Sequence, residues 1–333
     1  MNDHDEREKP VNMIRFLIDE RPHVFIHDAG ANLRFLQSID RDYWGYQSAA
    51  HLPGLDSEDE DHRKRAAAAL RVAYSQGLET LFALLAALLQ CPTFPLGWLL
   101  RYKNSDLRSV VRKINANEPF PSFLRAGVSW HAVAAIVHEG MGEPKQQELA
   151  DDYGTLWKGL AREFAEDHFE PEYNSLKHGM RASVGGFSVS IGLQSEPGVR
   201  APQEKMQAIG GAEYGSTFLM PPRRLPGGKL TYELSQNVSI GWSPRGFASA
   251  LELIALSIGN VASRALLCAG VELTKAPFRW PEDRAAFDAP WKERPTIGRI
   301  GFGGSTTSLR NWREPSKADI LKTYPQTGKR TLE

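Results

Sequence analysis

The sequence predicts an α+β protein: a mainly helical bundle with a small antiparallel β-sheet inserted before its last long helix. Three observations lead there. Apolar residues recur at helical spacing from about 65 to 164, the period changes to two between 183 and 242, and helical spacing returns over 246–270. The expected organisation is an N-terminal tail and lead-in segment, 1–64, a bundle, 65–270, with the β insertion at 183–242, and an extended C-terminal arm, 271–333.

Residues 1 to about 12 are polar and charged and read as a disordered tail. No apolar signal-peptide core follows them, so the cytoplasm is the expected compartment. In RPHVFIHD, His23 and His27 stand four apart beside Asp28, which suits two metal ligands on a helix, yet Val24, Phe25 and Ile26 are equally strand-like. The chain has no Cys-x-x-Cys pair and no second histidine to complete a zincin motif at His138-Glu139, so no metal site is assigned.

LDSEDEDHRKR, Leu55 to Arg65, is a solvated charge block that leads into RAAAALRVAYSQGLETLFALLAALLQCP. There Leu78, Leu81, Phe82, Leu85, Leu88 and Leu89 follow helical spacing while Ala83, Ala86 and Ala87 fill the other side, the pattern of a helix enclosed on nearly all faces. Pro92 and Pro95 end it. Glu79 is then a carboxylate inside a core helix and requires a partner. Further helices are expected from Val128 to His138, with His131 and His138 on one face, and from Leu149 to Phe164.

Phe187, Val189, Ile191 and Leu193 alternate with polar or small residues, as do Val238, Ile240 and Trp242. Strands are also expected at Tyr214–Met220 and Leu230–Leu234, joined by PPRRLPGGK with Arg223 and Arg224 at the tip. Ser243 then caps a helix with Pro244 at its first position, and Phe247, Leu251, Ile254, Ile258, Val261 and Ala265 form its inner face. Gly270 ends it.

The apolar run Leu81–Leu89 is shorter than the roughly 20 residues a bilayer requires, and the run near Leu251 carries Glu252 and ends at Arg264, so both are expected to be core helices and no membrane partner is assigned. Cys91 and Cys268, each at the end of an apolar run, read as small buried hydrophobes of a reducing compartment.

The charge balance, 40 basic against 40 acidic residues, gives no global field to hold a polyanion. A nucleic-acid partner has to meet a local patch. The arm offers one candidate, interleaving Arg279, Arg284, Arg294, Arg299, Arg310 and Arg313 with Trp280, Trp291, Phe302 and Trp312. This mixture can stack on bases and neutralise phosphates, or its tryptophans can anchor the arm on its own core or on a second subunit. GGFSVSIG and GFGGST carry neither the serine elbow nor the Gly-Lys-Ser/Thr ending of a P-loop.

The second candidate is EYNSLKHGMRAS, Glu172 to Ser183. As a helix from Tyr173 to about Ser183, with Glu172 favourable at its N-terminus, it sets Asn174, Lys177, His178 and Arg181 on one stripe, beside an apolar stripe of Tyr173, Leu176 and Met180. An imidazole that exchanges protons near neutral pH, among cations and an amide, suits an anion. The competing reading makes these residues internal struts, with Lys177 or Arg181 paired to Glu79.

The helical bundle and the spacing Asn174-Ser-Leu-Lys-His178 resemble the HEPN superfamily, whose helical domains carry an Arg followed four to six residues later by a His, often with Asn directly after the Arg. The resemblance covers about 65–180 and 246–270. It implies a HEPN-like bundle and a metal-independent endoribonuclease of a toxin or antiviral defence system, in which a dimer brings two motifs together, or an RNA- or nucleotide-binding protein without cleavage. No cofactor is implied. The family's Arg falls on Tyr173 here, so the carry-over is limited to Asn174 and His178, and the cations Lys177 and Arg181 are our own additions to the candidate catalytic set. The alternative is a non-catalytic interaction or oligomerisation protein, with a protein partner or a homodimer.

Overall fold

After residue 12 the chain forms an antiparallel hairpin, β1 (Met13–Ile18) and β2 (Arg21–Ile26), whose turn places Asp19 at φ 53°. RPHVFI is therefore a strand, and the strand-like Val24, Phe25 and Ile26 prevailed over the four-residue histidine spacing. Two helices follow, α1 (Ala29–Ser38), capped by the Asp28 carboxylate on the Ala31 N–H, and α2 (Tyr43–His51). The lead-in segment is thus folded. The computed structural model describes residues 12–123, 128–141, 146–179, 181–193, 196, 199, 201–220, 232–233, 236–302, 305–306 and 316–319. The expected tail, Met180, Arg223, Arg224, Arg310, Trp312 and Arg313 lie outside them.

Helix α3 (Glu60–Gln90) starts where Asp59 accepts from the Asp61 N–H, with Glu60 and Asp61 placing negative charge in its first turn. Both its leucine side and its alanine side are buried, as the sequence demands. The Cys91 thiol that follows is buried, and burial pushes its pKa up to about 12, which suits an inert hydrophobe. Glu79 is only half-buried and forms no ion pair among the described residues; burial raises its carboxyl while the Lys177 charge works the other way.

Helices α4 (Pro95–Leu99), α5 (Asn104–Ala116), α6 (Trp130–His138), α7 (Gln146–Ala165) and α8 (Phe169–Lys177) complete the first helical part. His131 and His138 of α6 have different fates. His138 is fully buried against the Tyr153 ring, while His131 is exposed beside Thr155.

The β insertion forms several small sheets rather than one. β3 (Ala182–Val184) pairs antiparallel with β6 (Tyr214–Met220) in a four-stranded sheet of order β3-β6-β8-β9, completed by β8 (Gln236–Trp242) and β9 (Arg299–Phe302). β4 (Phe187–Ile191) pairs with β5 (Gln207–Ala212) as a separate ribbon. Ile191 and Leu193 of this stretch are exposed, so alternation marked the strand but not a buried face.

Helix α9 (Pro244–Cys268) begins as its sequence specifies, with the Ser243 hydroxyl accepting from the Gly246 N–H and Pro244 in the first turn. It packs along α3, and α2 packs on it in turn. Both α3 and α9 are long and apolar enough to cross a membrane, and most of each is buried in the protein. Cys268, at the end of α9, is exposed, because the last turn of that helix runs out beyond the core.

The chain divides into two compact units, Met1–Phe218 with Ser239–Ile300, and Leu219–Val238 with Gly301–Glu333. Within the second, β7 (Tyr232–Glu233) pairs antiparallel with β10 (Ser305–Thr306). The arm as far as residue 300 belongs to the first unit and is not a free extension. It holds a 3-10 helix, Arg284–Trp291, and Arg279 donates to Asp42 and to the Arg41 carbonyl while its backbone N–H donates to Asn260.

Candidate functional site

Arg71 is the single charge between Arg65 and Glu79 on the alanine-rich part of α3, and the fold buries it. A charge removed from water requires a counter-charge, and Glu172 of α8 supplies it: Arg71 Nη2 donates to Glu172 Oε2 at 2.5 Å. The other carboxylate oxygen accepts from the Ser216 hydroxyl at 2.6 Å and from the Trp242 indole N–H at 2.8 Å. Four elements, α3, α8, β6 and β8, thus meet on one carboxylate. Burial opposes its charge, but Arg71 and the two neutral donors together hold its carboxyl below the usual range. The guanidinium also lies over the rings of Tyr74, Phe169 and Phe247, at 5.7, 5.3 and 5.2 Å.

A second carboxylate organises the neighbouring wall. Glu163 of α7 accepts from the Tyr74 hydroxyl at 2.6 Å and from the Trp291 indole N–H at 3.1 Å. Burial first, and then this carboxylate, push the Tyr74 phenol well above its ordinary pKa. Trp291 lies directly on the α7 backbone, since a Cβ on Gly159 would stand 2.5 Å from its ring. Gly159→Ala therefore has to displace the indole. The overpacking is expected to cost about 1–3 kcal/mol despite the better helix propensity of alanine. A shift of the tryptophan emission together with a lowered denaturation midpoint measures it; an unchanged spectrum and midpoint contradict the packing.

Between these walls runs a cleft of about 1310 Å³. Its buried end includes Arg71, Phe169, Trp242 and His168, and its rim includes Lys158, Arg162, Arg294 and Arg299, all four exposed. Among the described residues none of these four rim cations has a hydrogen bond or an ion pair, whereas Arg284 of the same rim is paired with Asp152 and Glu148. Acids are present as well, Asp288 and Glu293 among them, so the field comes from unpaired cations set around aromatic rings and not from a uniformly basic surface. Burial, reinforced by the charges of Arg299 and Arg71, pushes the His168 pKa down to about 4 against the pull of Glu172 and Asp167, so its imidazole is neutral at pH 7.

The stripe expected over 173–183 does not form. Helix α8 starts at Phe169 and ends at Lys177, with His178 as its C-cap and Gly179 at φ 70°. Gly179, expected inside the helix, instead takes the left-handed conformation that closes it. Asn174, Lys177 and His178 share the last turn, while Arg181 lies past the helix before β3. Lys177, His178 and Arg181 are exposed, and the Lys177 ammonium sits 5.4 Å from the Tyr173 ring. Glu172 stands in the first turn of α8, as expected of a helix start, but it is also the most buried carboxylate of the site.

Sequence reasoning missed Arg71, Glu163 and His168. A signal existed for the first: a lone arginine inside thirteen residues that otherwise build a core helix, Ala66 to Leu78, asks for a buried partner. Of the arm residues, Trp291 anchors on its own core, while Arg294 and Arg299 reach the cleft. His23 and His27 stand on and just after β2, and among the described residues no group of three or more His, Cys, Asp or Glu side chains is arranged to hold a metal ion. Comparison of the chain with protein-family models, with curated proteins and with solved structures finds no match.

Proposed function

We propose that this protein engages RNA or a nucleotide in the cleft between α7, α9 and the segment that follows α9. The observation that supports it is the joint placement of unpaired cations and aromatic faces. Lys158 and Arg162 flank Gly159, on which Trp291 lies, and Arg294 and Arg299 follow in the same wall. Aromatic faces accept bases without regard to sequence, and cations without internal partners are free to take phosphates. The cleft exceeds the roughly 300–1,000 Å³ typical of a small-molecule pocket, which leaves room for more than one nucleotide.

Titration of a short fluorescent single strand tests this. If all four rim cations meet phosphates, the slope of log K against log salt is expected near about −3. Charge reversal by Arg162→Glu with Arg294→Glu is expected to weaken binding about tenfold or more, with the melting temperature unchanged because neither side chain supports the fold. Absence of binding at low salt, or indifference to the reversal, counts against the proposal and favours the interaction-protein reading.

Cleavage is a second reading with its own supporting observation: His178 is exposed at the end of α8, one turn beyond Asn174. In the HEPN-like reading a homodimer brings two such turns together. RNA degradation without metal, abolished by His178→Ala, is its expected result; intact RNA in the wild-type reaction removes it.

A further inference from the structure

We infer that the buried end of the cleft is a subsite for a terminal phosphate, so that the ligand is held by a phosphorylated end and not only along its backbone. This rests on the cleft reading above and adds the chemical group that is recognised.

Two buried nitrogens carry the inference. Arg71 is 5 % exposed, and although its Nη2 donates to Glu172, its Nε is buried with no hydrogen-bond partner among the described residues. His168 Nδ1 is likewise buried without a hydrogen bond among the described residues; Glu166 Oε2 lies 3.5 Å away. Buried polar atoms without a partner are rare in folded proteins, and of the seven among the described residues two belong to side chains that line this cleft. Arg299 joins them from β9, close enough for its charge to act on His168. A guanidinium, an imidazole and a second guanidinium, drawn from α3, the start of α8 and β9, thus line one cleft, and a single acceptor with several oxygens would answer them.

A phosphomonoester answers that requirement. It presents three strong acceptor oxygens and close to two negative charges at neutral pH, and a single ester bond leads out of the site. An internal phosphodiester carries two substituents, and both would have to leave an end walled by Phe169 and Trp242, each 3 % exposed. Glu172 already neutralises Arg71, and Glu163 and Glu166 also line the cleft, so the positive charge left for the ligand comes from Arg299 and the other rim cations.

The test uses the full chain and one short oligouridylate with a 5′-phosphate, a 3′-phosphate or only hydroxyl ends, followed by fluorescence anisotropy, with uridine monophosphate and inorganic phosphate as competitors. One phosphorylated form is expected to bind about tenfold more tightly than the hydroxyl form. That excess is expected to vanish in Arg299→Ala and in His168→Gln and to be suppressed by inorganic phosphate. Because the Arg299 side chain is exposed and supports no hydrogen bond among the described residues, its variant reports on the subsite even if the histidine variant fails to fold. Equal binding of all three forms overturns the terminal-phosphate subsite and leaves the cleft reading standing. A phosphate-dependent gain that survives in Arg299→Ala overturns it as well. If neither the strands nor the mononucleotide bind, the cleft reading itself is lost and the subsite with it.

Discussion

Glu172→Ala is expected to destabilise this protein by about 3–5 kcal/mol, because it leaves a buried guanidinium without its counter-charge. The loss is concentrated because the Glu172 carboxylate takes hydrogen bonds from Arg71, Ser216 and Trp242, and removing it strands all three donors. Thermal unfolding followed by circular dichroism is expected to move down by roughly 5 °C. A double replacement that makes both sides apolar, Arg71→Met with Glu172→Leu, is expected to recover part of this loss, since no unpaired charge then remains. A single variant within about 1 kcal/mol of wild type shows that the pair is not buried as described.

Acidification supplies the second large effect. His138 is fully buried, its ring stacked on Tyr153 at 4.7 Å, and burial pushes its pKa down from 6.5 to about 4. The hydrogen bonds agree with a neutral ring. Asn260 is oriented by Arg279, whose backbone N–H donates to Oδ1 and whose carbonyl accepts from Nδ2, so the second Nδ2 hydrogen points at His138 Nε2. That nitrogen has to be an acceptor, and the proton sits on Nδ1, which donates to the Ala134 carbonyl at 2.8 Å. Protonating Nε2 sets donor against donor inside the core.

The folded state therefore binds the second proton less readily than the unfolded chain. The stability contributed by His138 is complete above its ordinary pKa of 6.5 and is lost as the pH falls toward about 4. The full loss is roughly 3 kcal/mol, of which about 2 kcal/mol is gone by pH 5. His168, with its pKa also pushed down to about 4, adds in the same direction. Urea unfolding at pH 7.5 and pH 5 measures the difference, and His138→Gln is expected to flatten it. Equal stability at both pH values contradicts a neutral buried imidazole.

The two carboxylate and histidine centres behind these predictions differ in how far the sequence exposed them. Leu78 through Leu89 announced a core helix because burial follows directly from spacing, and Ser243-Pro244 announced the start of α9 because a cap is chosen by residues in immediate sequence. His138 reads in the chain only as sharing a helix face with His131, and neither its burial nor its bond to Asn260, 122 residues away, is legible there. The stripe at 174–181 failed for a local reason: the expected helix ran through Gly179, whose freedom to take positive φ makes it a stop. Glu172 failed for a distant one, since a first-turn glutamate on the surface and one beneath a sheet read identically in the chain.

What the sequence by itself determined is whatever is decided within a turn or two of chain: the order of helices and strands, the caps, the enclosed character of α3 and α9, and the change of period that marks the β insertion. What only the tertiary structure decided is which charges meet. Arg71 and Glu172 are 101 residues apart, and Tyr74 and Glu163 are 89 apart. A buried charge states in the chain only that some partner must exist. The identity of that partner is set by the packing of α3, α8 and the sheet, which removes both groups from water together.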